Sequence, residues 1–518
     1  MSEEPAVSSS AGMPIKRHKI SLFSATALSA TAMVGSGWLF SAQLNAKLAG
    51  NYAFLAWVLA ALLVMAVGLC ISQVVGVYPV RGAITRSSSL SHNNVFGMPF
   101  AFANWFGIMV TIATEAQATT QYLSAALKST VLMGDDGLTV QGKLLALFIL
   151  VIYLVINYYG IKLLARVNNV ITVLKIFTPL FTIGMLMIAH FDTSNFSLTG
   201  AGSGNYNTAS ALAAIVGAGL IYSYNGFQIS AAFASEIKNP ERNVPLSIVL
   251  SIIIVMVVYI LLQVAFMGAV PHQILAGGWA SLNFHSPLMN LALLLGINFL
   301  ALLLVADSVV SPSGTGYSYL GSASRMLYAM AAERQMPAWF AKLDPVYNFS
   351  KRSMLINFVL AALVLWNSKS WASLMVVVTG YHLIGYMAAP ISMGAIKPKT
   401  RIFGFILFIC LGLTMTTLPL HDLLMMNVSI IILMVIYGCV QVVTRGTKLS
   451  TLFSLNLPFL AYLWAIYFYQ NLIFVGIISA LFFLCITCRA YVDYCKIHKS
   501  EAADGLSDVK KHPGALLE

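Results

Sequence analysis

Charge is what this sequence has least of. Asp, Glu, Lys and Arg make up 9% of its 518 residues, against about 25% in soluble chains. Length alone would suggest roughly three soluble domains, but so few ionic groups cannot cover three water-facing surfaces. No room is left for a soluble domain either: the largest expected cytoplasmic segment, about 327–352, is too short for a domain of its own. Cysteine is sparse. None of Cys70, Cys410, Cys439, Cys485, Cys488 and Cys495 falls in an expected outside loop, so no disulfide framework is expected. The Cys485/Cys488 pair has CxxC spacing but sits in an apolar helix without a second ligand pair, which argues against zinc. His190, His285, His421 and His382 are scattered, without metal spacing, and receive no role.

What the chain has is apolar sequence, 59% of the total. A membrane-crossing helix takes about 20 such residues. The apolar runs number fourteen: 20–48, 52–77, 95–127, 143–159, 161–189, 209–235, 245–270, about 298–326, 353–367, 370–396, 402–419, 422–443, 451–469 and 471–491. The run 288–331 is too long for one straight span; it reads as a short outer helix, the eighth span and a cytoplasmic extension. The polar stretch before Lys16-Arg17-His18-Lys19 reads as disordered. The apolar run after it is too long for a cleaved signal peptide, so it is taken as the first span.

Basic residues alternate with the runs. Arg81/Arg86, Lys162/Arg166, Lys238/Arg242, the group Arg325 to Arg352, Lys397 to Arg401, Arg445/Lys448 and the C-terminal tail fall on one side, whereas the other side holds only Lys128, Lys143 and Lys369, plus Lys47 near a helix end, and loops 190–208 and 271–287 have no Lys or Arg. By the positive-inside rule both termini are cytoplasmic. The same rule accounts for the net charge of +12 without nucleic acid as a partner. The expectation is an all-α polytopic membrane protein.

Two spans are interrupted. The first breaks at Val34-Gly35-Ser36-Gly37-Trp38 and the sixth is weak over Tyr222-Ser223-Tyr224-Asn225-Gly226-Phe227-Gln228. Paired glycines disfavour helix and tolerate unwound backbone. Breaks five spans apart in oppositely directed helices are what an inverted repeat of five helices produces. Inside a bilayer such breaks belong beside a cavity. The freed N–H groups at a half-helix N-terminus suit a carboxylate, and freed carbonyls suit an ammonium. Together they fit the α-carboxylate and α-amino group of an amino acid. The plainer alternative is that the glycines only let helices pack closely.

These breaks resemble those of the amino acid–polyamine–organocation superfamily of transporters, with the LeuT-type five-plus-five fold. Gly35-Ser36-Gly37, Tyr224-Asn225-Gly226-Phe227, the stretch Glu236 to Pro245 (E-x-K-N-P-x-R-x-x-P), and Ser324 to Met330 with Met336-Pro337 carry the likeness. It covers about residues 20–445, and Asp307 to Pro312 with Trp38-Leu39-Phe40 look most like the aspartate:proton symporter subgroup. The resemblance implies a repeat over 20–189, a second over 209–396, extra helices over 402–491 and a cytoplasmic tail over 492–518. It implies an amino acid permease of the bacterial cytoplasmic membrane, not an enzyme, with protons as coupling ion and no cofactor. By the same likeness Ser36 and Gly37, with Gly35 and Gly226 shaping the breaks, bind the substrate carboxylate. Carbonyls of Val34, Tyr222 and Asn225 bind its ammonium; Tyr224 joins the site, and Tyr222 closes over the substrate as a gate. Gln228 departs from relatives that are acidic there, and Trp38 replaces an aliphatic residue, which would alter pocket volume.

Ionisable groups in spans are functional candidates because burying them is expensive. Lys175, about 13 Å past Arg166 along the fifth span, is too deep to snorkel and needs a partner. The resemblance, in the context of Asn168 and Asn169, implies that its ammonium bridges the first and eighth spans and couples transport to protons. Glu115 and Asp307 are expected in the outer half, each able to take a proton from outside, with Lys47 as a competing partner. Ser311, Ser313, Thr315 and Gln228 would add polar lining. An exchanger on the same fold is the alternative. A membrane enzyme would need clustered catalytic groups and a channel repeated polar rings. The sequence leaves the amino acid, the stoichiometry and the oligomeric state open.

Overall fold

The computed structural model describes residues 19–77, 89, 91–92, 94–134, 137–159, 161–197, 206–344, 349–445 and 449–503. The tail 1–18, Arg81, Arg86, Lys448 and residues 504–518 lie outside these. So do the side chains of Lys162, Arg166, Asn168, Asn169, Arg445, Arg489, Lys496 and Lys499.

Every expected apolar run carries helix. The first is split into α1 (Leu22–Met33) and α2 (Gly37–Ala49), followed by α3 (Ala53–Val77), α4 (Asn94–Ala126), α5 (Val140–Tyr159) and α6 (Ile161–Ala189). The sixth run is three short pieces, α7 (Thr208–Gly217), α8 (Leu220–Ser223) and α9 (Ile229–Ala232). Then come α10 (Pro240–Ala269), the short α11 (Pro287–Leu294), the long α12 (Asn298–Ala332), α13 (Lys351–Asn367) and α14 (Trp371–Ile396). The chain closes with α15 (Arg401–Met415), α16 (Leu420–Arg445), α17 (Leu449–Phe468) and α18 (Leu472–Ala503). A two-stranded antiparallel ribbon, β1 (Met133–Gly134) with β2 (Gly137–Leu138), lies between α4 and α5.

Among the described residues nine helical stretches are long and apolar enough to cross a membrane by length and composition. That is fewer than the fourteen runs. Gly37–Val77 counts as one stretch, Leu22–Met33 and Thr208–Gly217 are halves of interrupted spans, α13 has only 17 residues, and Asn456–Phe468 and Leu472–Cys488 are short. Beyond the weak stretch expected at 222–228, the sixth span has a second break at Gly219, which takes a left-handed φ of 72°. The last helix, α18, continues to Ala503, into the stretch read as a tail, because its Lys, Glu and Ala residues are good helix formers even where the helix turns polar.

Burial orders the bundle. In α4 89% of the most apolar window is buried, and in α14 83%, whereas α5 has 28% and α15 33%. So α4 and α14 form the centre, packed on each other and, for α4, on α12. The outer helices turn Phe148, Ile188, Leu302, Ile402 and Ile473 outward, apolar surface that suits lipid.

The central helices contain prolines, and each removes a backbone donor from the carbonyl four residues earlier. Pro312 frees the Ser308 carbonyl, and the Thr119 hydroxyl of α4 donates to it at 2.9 Å. Pro99 frees the Val95 carbonyl, and Asn456 Nδ2 of α17 donates to it at 2.9 Å. These side chains meet the demand that no backbone polar group stay unpaired in a bilayer.

The two interrupted spans lie antiparallel. Ile20 bridges to Ile237, the Ser29 and Ser230 hydroxyls bond at 2.6 Å, and Ser36 pairs with Tyr222. Where they cross, Gly226 has a φ of 121°, and a Cβ there would stand 2.7 Å from the Ala32 carbonyl carbon. Gly226→Ala therefore meets both backbone strain and a backbone clash. It should cost on the order of 1–3 kcal/mol, read as a clear fall in the melting temperature of the detergent-purified protein; an unchanged melting temperature would contradict this crossing.

Candidate functional site

The break after Met33 leaves Val34 outside helical geometry, and α2 resumes at Gly37 with Ser36 as its N-cap. The first N–H groups of a helix have no partner within it. Here the Ser36 N–H donates to the carboxylate of Glu115, at 3.1 Å to Oε2 and 3.3 Å to Oε1. Glu115 comes from α4 and is 1% exposed. Gly35 permits this approach, since a Cβ on it would lie 2.9 Å from Glu115 Oε1. Glu115, expected in the outer half, thus sits at the unwound centre of the first span. Lys47 is not its partner; that ammonium bonds Asn283 at 3.4 Å.

One directed chain of hydrogen bonds holds the carboxylate. The Tyr222 hydroxyl donates to Glu115 Oε1 at 2.6 Å. A hydroxyl has one proton to give, so the 3.2 Å contact between Tyr222 and Ser36 has the Ser36 hydroxyl donating. The Ser36 oxygen in turn accepts from Trp371 Nε1 at 2.9 Å. Trp371 is stacked on Phe40, with centroids 4.5 Å apart, and Tyr222 meets its ring edge-on at 5.6 Å.

A narrow cavity adjoins this cluster, with room for about one water molecule. Ala32, Met33, Gly35 and Gly37 line it from the first span, Thr111 and Glu115 from α4, Tyr222 and Asn225 from the sixth, and Thr315 and Tyr319 from α12. Gly37 is pressed on Ser223, whose Cα would be 3.1 Å from a Cβ there.

Lys175 of α6 is buried and donates to Thr315 Oγ1 at 2.8 Å. Its direct bond among the described residues is therefore to the eighth span, and Thr315 in turn packs against Gly35 of the first. It also interacts electrostatically with Glu115 and Asp307. Asp307 is 1% exposed, and neither of its oxygens has a hydrogen-bond partner among the described residues; nor does the hydroxyl of Thr178, which faces it from α6. It lies about 12 Å along α12 from Thr315.

The remaining expected residues separate. Ser311 is buried with an unpartnered hydroxyl, while Ser313 turns toward α5 and accepts from Tyr153 at 3.3 Å. Gln228 bonds Asn225 and the Gly226 amide. Tyr224 does not join the site: its ring packs against Trp57 and Tyr259, on the far side of the break. Trp38 is buried away from the cavity, so it does not set the cavity's volume. Three contributors went unforeseen. Thr111 stands four residues before Glu115, and Tyr319 four after Thr315, so helical spacing placed both on the site-facing stripe. Trp371 carries no local signal.

Removing the Tyr222 hydroxyl should leave a buried carboxylate short of a donor. Tyr222→Phe is expected to cost about 1–3 kcal/mol, seen as a lowered melting temperature, with Trp371→Phe smaller at about 1 kcal/mol. Equal stability of Tyr222→Phe and the parent protein would contradict the chain.

The profile of the family described as "Amino acid permease" matches residues 20–401. The chain is 34% identical to the glutamate/serine transporter AimA of Bacillus subtilis over 73% of its own length and 71% of the relative's. It is 29% identical to the aspartate-proton symporter of the same organism, over 74% and 73%. Among solved structures it shares its fold with Mhp1, a nucleobase-cation-symport-1 family transporter, at a TM-score of 0.55 and 12% identity over 92% of this chain and 93% of that one. The chain is an integral membrane protein that belongs to the amino acid permease family.

Proposed function

We propose that this protein carries amino acids across a bacterial cytoplasmic membrane together with protons, by alternating access around the crossing of its two interrupted spans. On this reading it has about fourteen spans arranged as two inverted five-helix repeats with four further helices, and both termini are cytoplasmic. It is a carrier rather than an enzyme and uses no cofactor beyond the coupling proton.

One observation carries the coupling. Glu115 holds the Ser36 amide that a substrate carboxylate would need. Two anions cannot share that donor cheaply. A proton on Glu115 removes its charge and frees the amide, so proton and substrate enter together. The substrate carboxylate then takes the Ser36 and Gly37 amides, its ammonium takes the carbonyls of Val34, Tyr222 and Asn225, and Tyr222 swings from Glu115 to close over it. Lys175, which balances Glu115 while that group is charged, loses its counter-charge when Glu115 is protonated. Asp307, whose oxygens have no hydrogen-bond partner among the described residues and which lies within the electrostatic reach of Lys175, exchanges protons with it.

The same cap supports symport over obligatory exchange. A carrier without substrate keeps its α2 amide satisfied by Glu115, so it can reorient unloaded. The names of the two Bacillus relatives, a glutamate/serine transporter and an aspartate-proton symporter, agree with amino acid transport.

The test is uptake of radiolabelled L-glutamate, L-aspartate and L-serine into proteoliposomes with and without an inward proton gradient. Accumulation against a concentration gradient is expected only with the proton gradient. Glu115→Gln should keep substrate binding but lose most of its dependence on external pH. Lys175→Met should lose gradient-driven accumulation while retaining exchange. Gradient-driven accumulation in Lys175→Met, or uptake by the parent protein only against internal amino acid, would overturn the coupling.

A further inference from the structure

The orientation of one side-chain amide fixes what the cavity offers a substrate. The Gly226 N–H points at the Gln228 side chain at 3.2 Å. A backbone N–H can only donate, so the Gln228 atom facing it must be Oε1. That leaves Gln228 Nε2 to donate, and it does so to the Asn225 side chain at 2.9 Å. The Asn225 atom receiving it must therefore be Oδ1. Both amide orientations follow from a single backbone hydrogen, with no freedom to flip. The left-over atom is Asn225 Nδ2, a donor.

Asn225 lines the cavity and is 4% exposed. Its Nδ2 is buried and has no hydrogen-bond partner among the described residues. Buried donors are nearly always satisfied, and a ligand atom that accepts from this one recovers what the bare donor loses. Of the other polar side chains lining the cavity, Tyr222 is committed to Glu115, Thr111 to the Gly107 carbonyl, and Thr315 to Lys175 and the Ser311 carbonyl, while the Tyr319 hydroxyl is a further group able to donate there.

We infer that Asn225 Nδ2 is the side-chain subsite of the carrier, that it selects amino acids whose side chain ends in a hydrogen-bond acceptor, a carboxylate or a hydroxyl, and that Gln228 is the positioning residue that keeps this donor turned inward. The inference rests on the transport reading above and goes beyond it by assigning the substrate's side chain rather than its α-groups. A site built to donate rejects analogues that cannot accept. The departure at Gln228 then has a chemical meaning. An ionised acid at that position could not donate to Asn225; it would accept from Nδ2, and the oxygen of Asn225 would face the cavity instead.

The experiment measures how well unlabelled L-glutamate, L-serine and L-alanine compete with radiolabelled L-serine in proteoliposomes. In the parent protein L-glutamate and L-serine should compete better than L-alanine, which has no side-chain acceptor. Asn225→Ala leaves the backbone carbonyl in place and should weaken L-glutamate on the order of tenfold or more, with L-alanine changed by less than about threefold. Gln228→Met cannot orient the amide. It should raise the apparent KM for L-glutamate with kcat retained and L-alanine competition unmoved, a split that general destabilisation would not produce. If Asn225→Ala fails to reconstitute, Gln228→Met decides alone. Parallel losses for all three amino acids, or undiminished L-glutamate competition in both variants, overturn the subsite. A parent protein that takes up none of the three overturns the transport reading itself, a result distinct from either.

Discussion

A backbone amide in the middle of a membrane must find an acceptor, and the rest of this structure is arranged around the one that Ser36 finds. The glycines on either side of Ser36 unwind the first span and expose the N-terminus of α2. Water is scarce at that depth, so the amide is met by protein, and the acceptor is the carboxylate of Glu115. Most of the neighbouring features can be read as consequences. Gly35 lacks a side chain because the carboxylate stands where one would be. Tyr222, Ser36 and Trp371 form a chain whose donors all point toward the same charge. Lys175 of α6, bonded to Thr315, lies within electrostatic reach of that charge.

The arrangement also explains why α4 and α14 are the most buried helices of the bundle. They bring Glu115 and Trp371 to the crossing of the interrupted spans, and both must be shielded from lipid. The threonines of α4 satisfy themselves on carbonyls one turn back, as Thr111 does with Gly107, or reach across to the carbonyl that Pro312 leaves free. Polar groups are thus concentrated where backbone irregularity needs them. The peripheral helices α5 and α15 are largely apolar where they face outward.

Much of this was legible in the sequence, and the boundary is a physical one. Apolar runs and glycine pairs are local signals, so the helices, the break at Gly35 to Gly37 and the weakness of the sixth span could be read from residue types alone. The reading of Tyr222 and Tyr224 as neighbours in one site fails for a local reason as well. Residues two apart on a helical turn point to different sides, and Tyr224 goes to Trp57 and Tyr259. Glu115 was recognised as important, but counting along a helix gives a depth, and which neighbour crosses at that depth is a property of the fold. Trp371 lies 335 residues from Ser36, and nothing in its surroundings announces that contact. The Asn225 and Gln228 pair sits at a spacing of three, legible as neighbours, but the direction of their hydrogen bonds depends on the strained turn at Gly226.

The central claim is that Glu115 and a substrate carboxylate compete for one amide. The most direct test is a structure of the protein in complex with L-glutamate or L-serine at acidic pH. The account predicts the substrate's α-carboxylate on the Ser36 N–H, with Glu115 withdrawn from that amide and Tyr222 turned toward the substrate. A bound amino acid with Glu115 still on the Ser36 amide would contradict it.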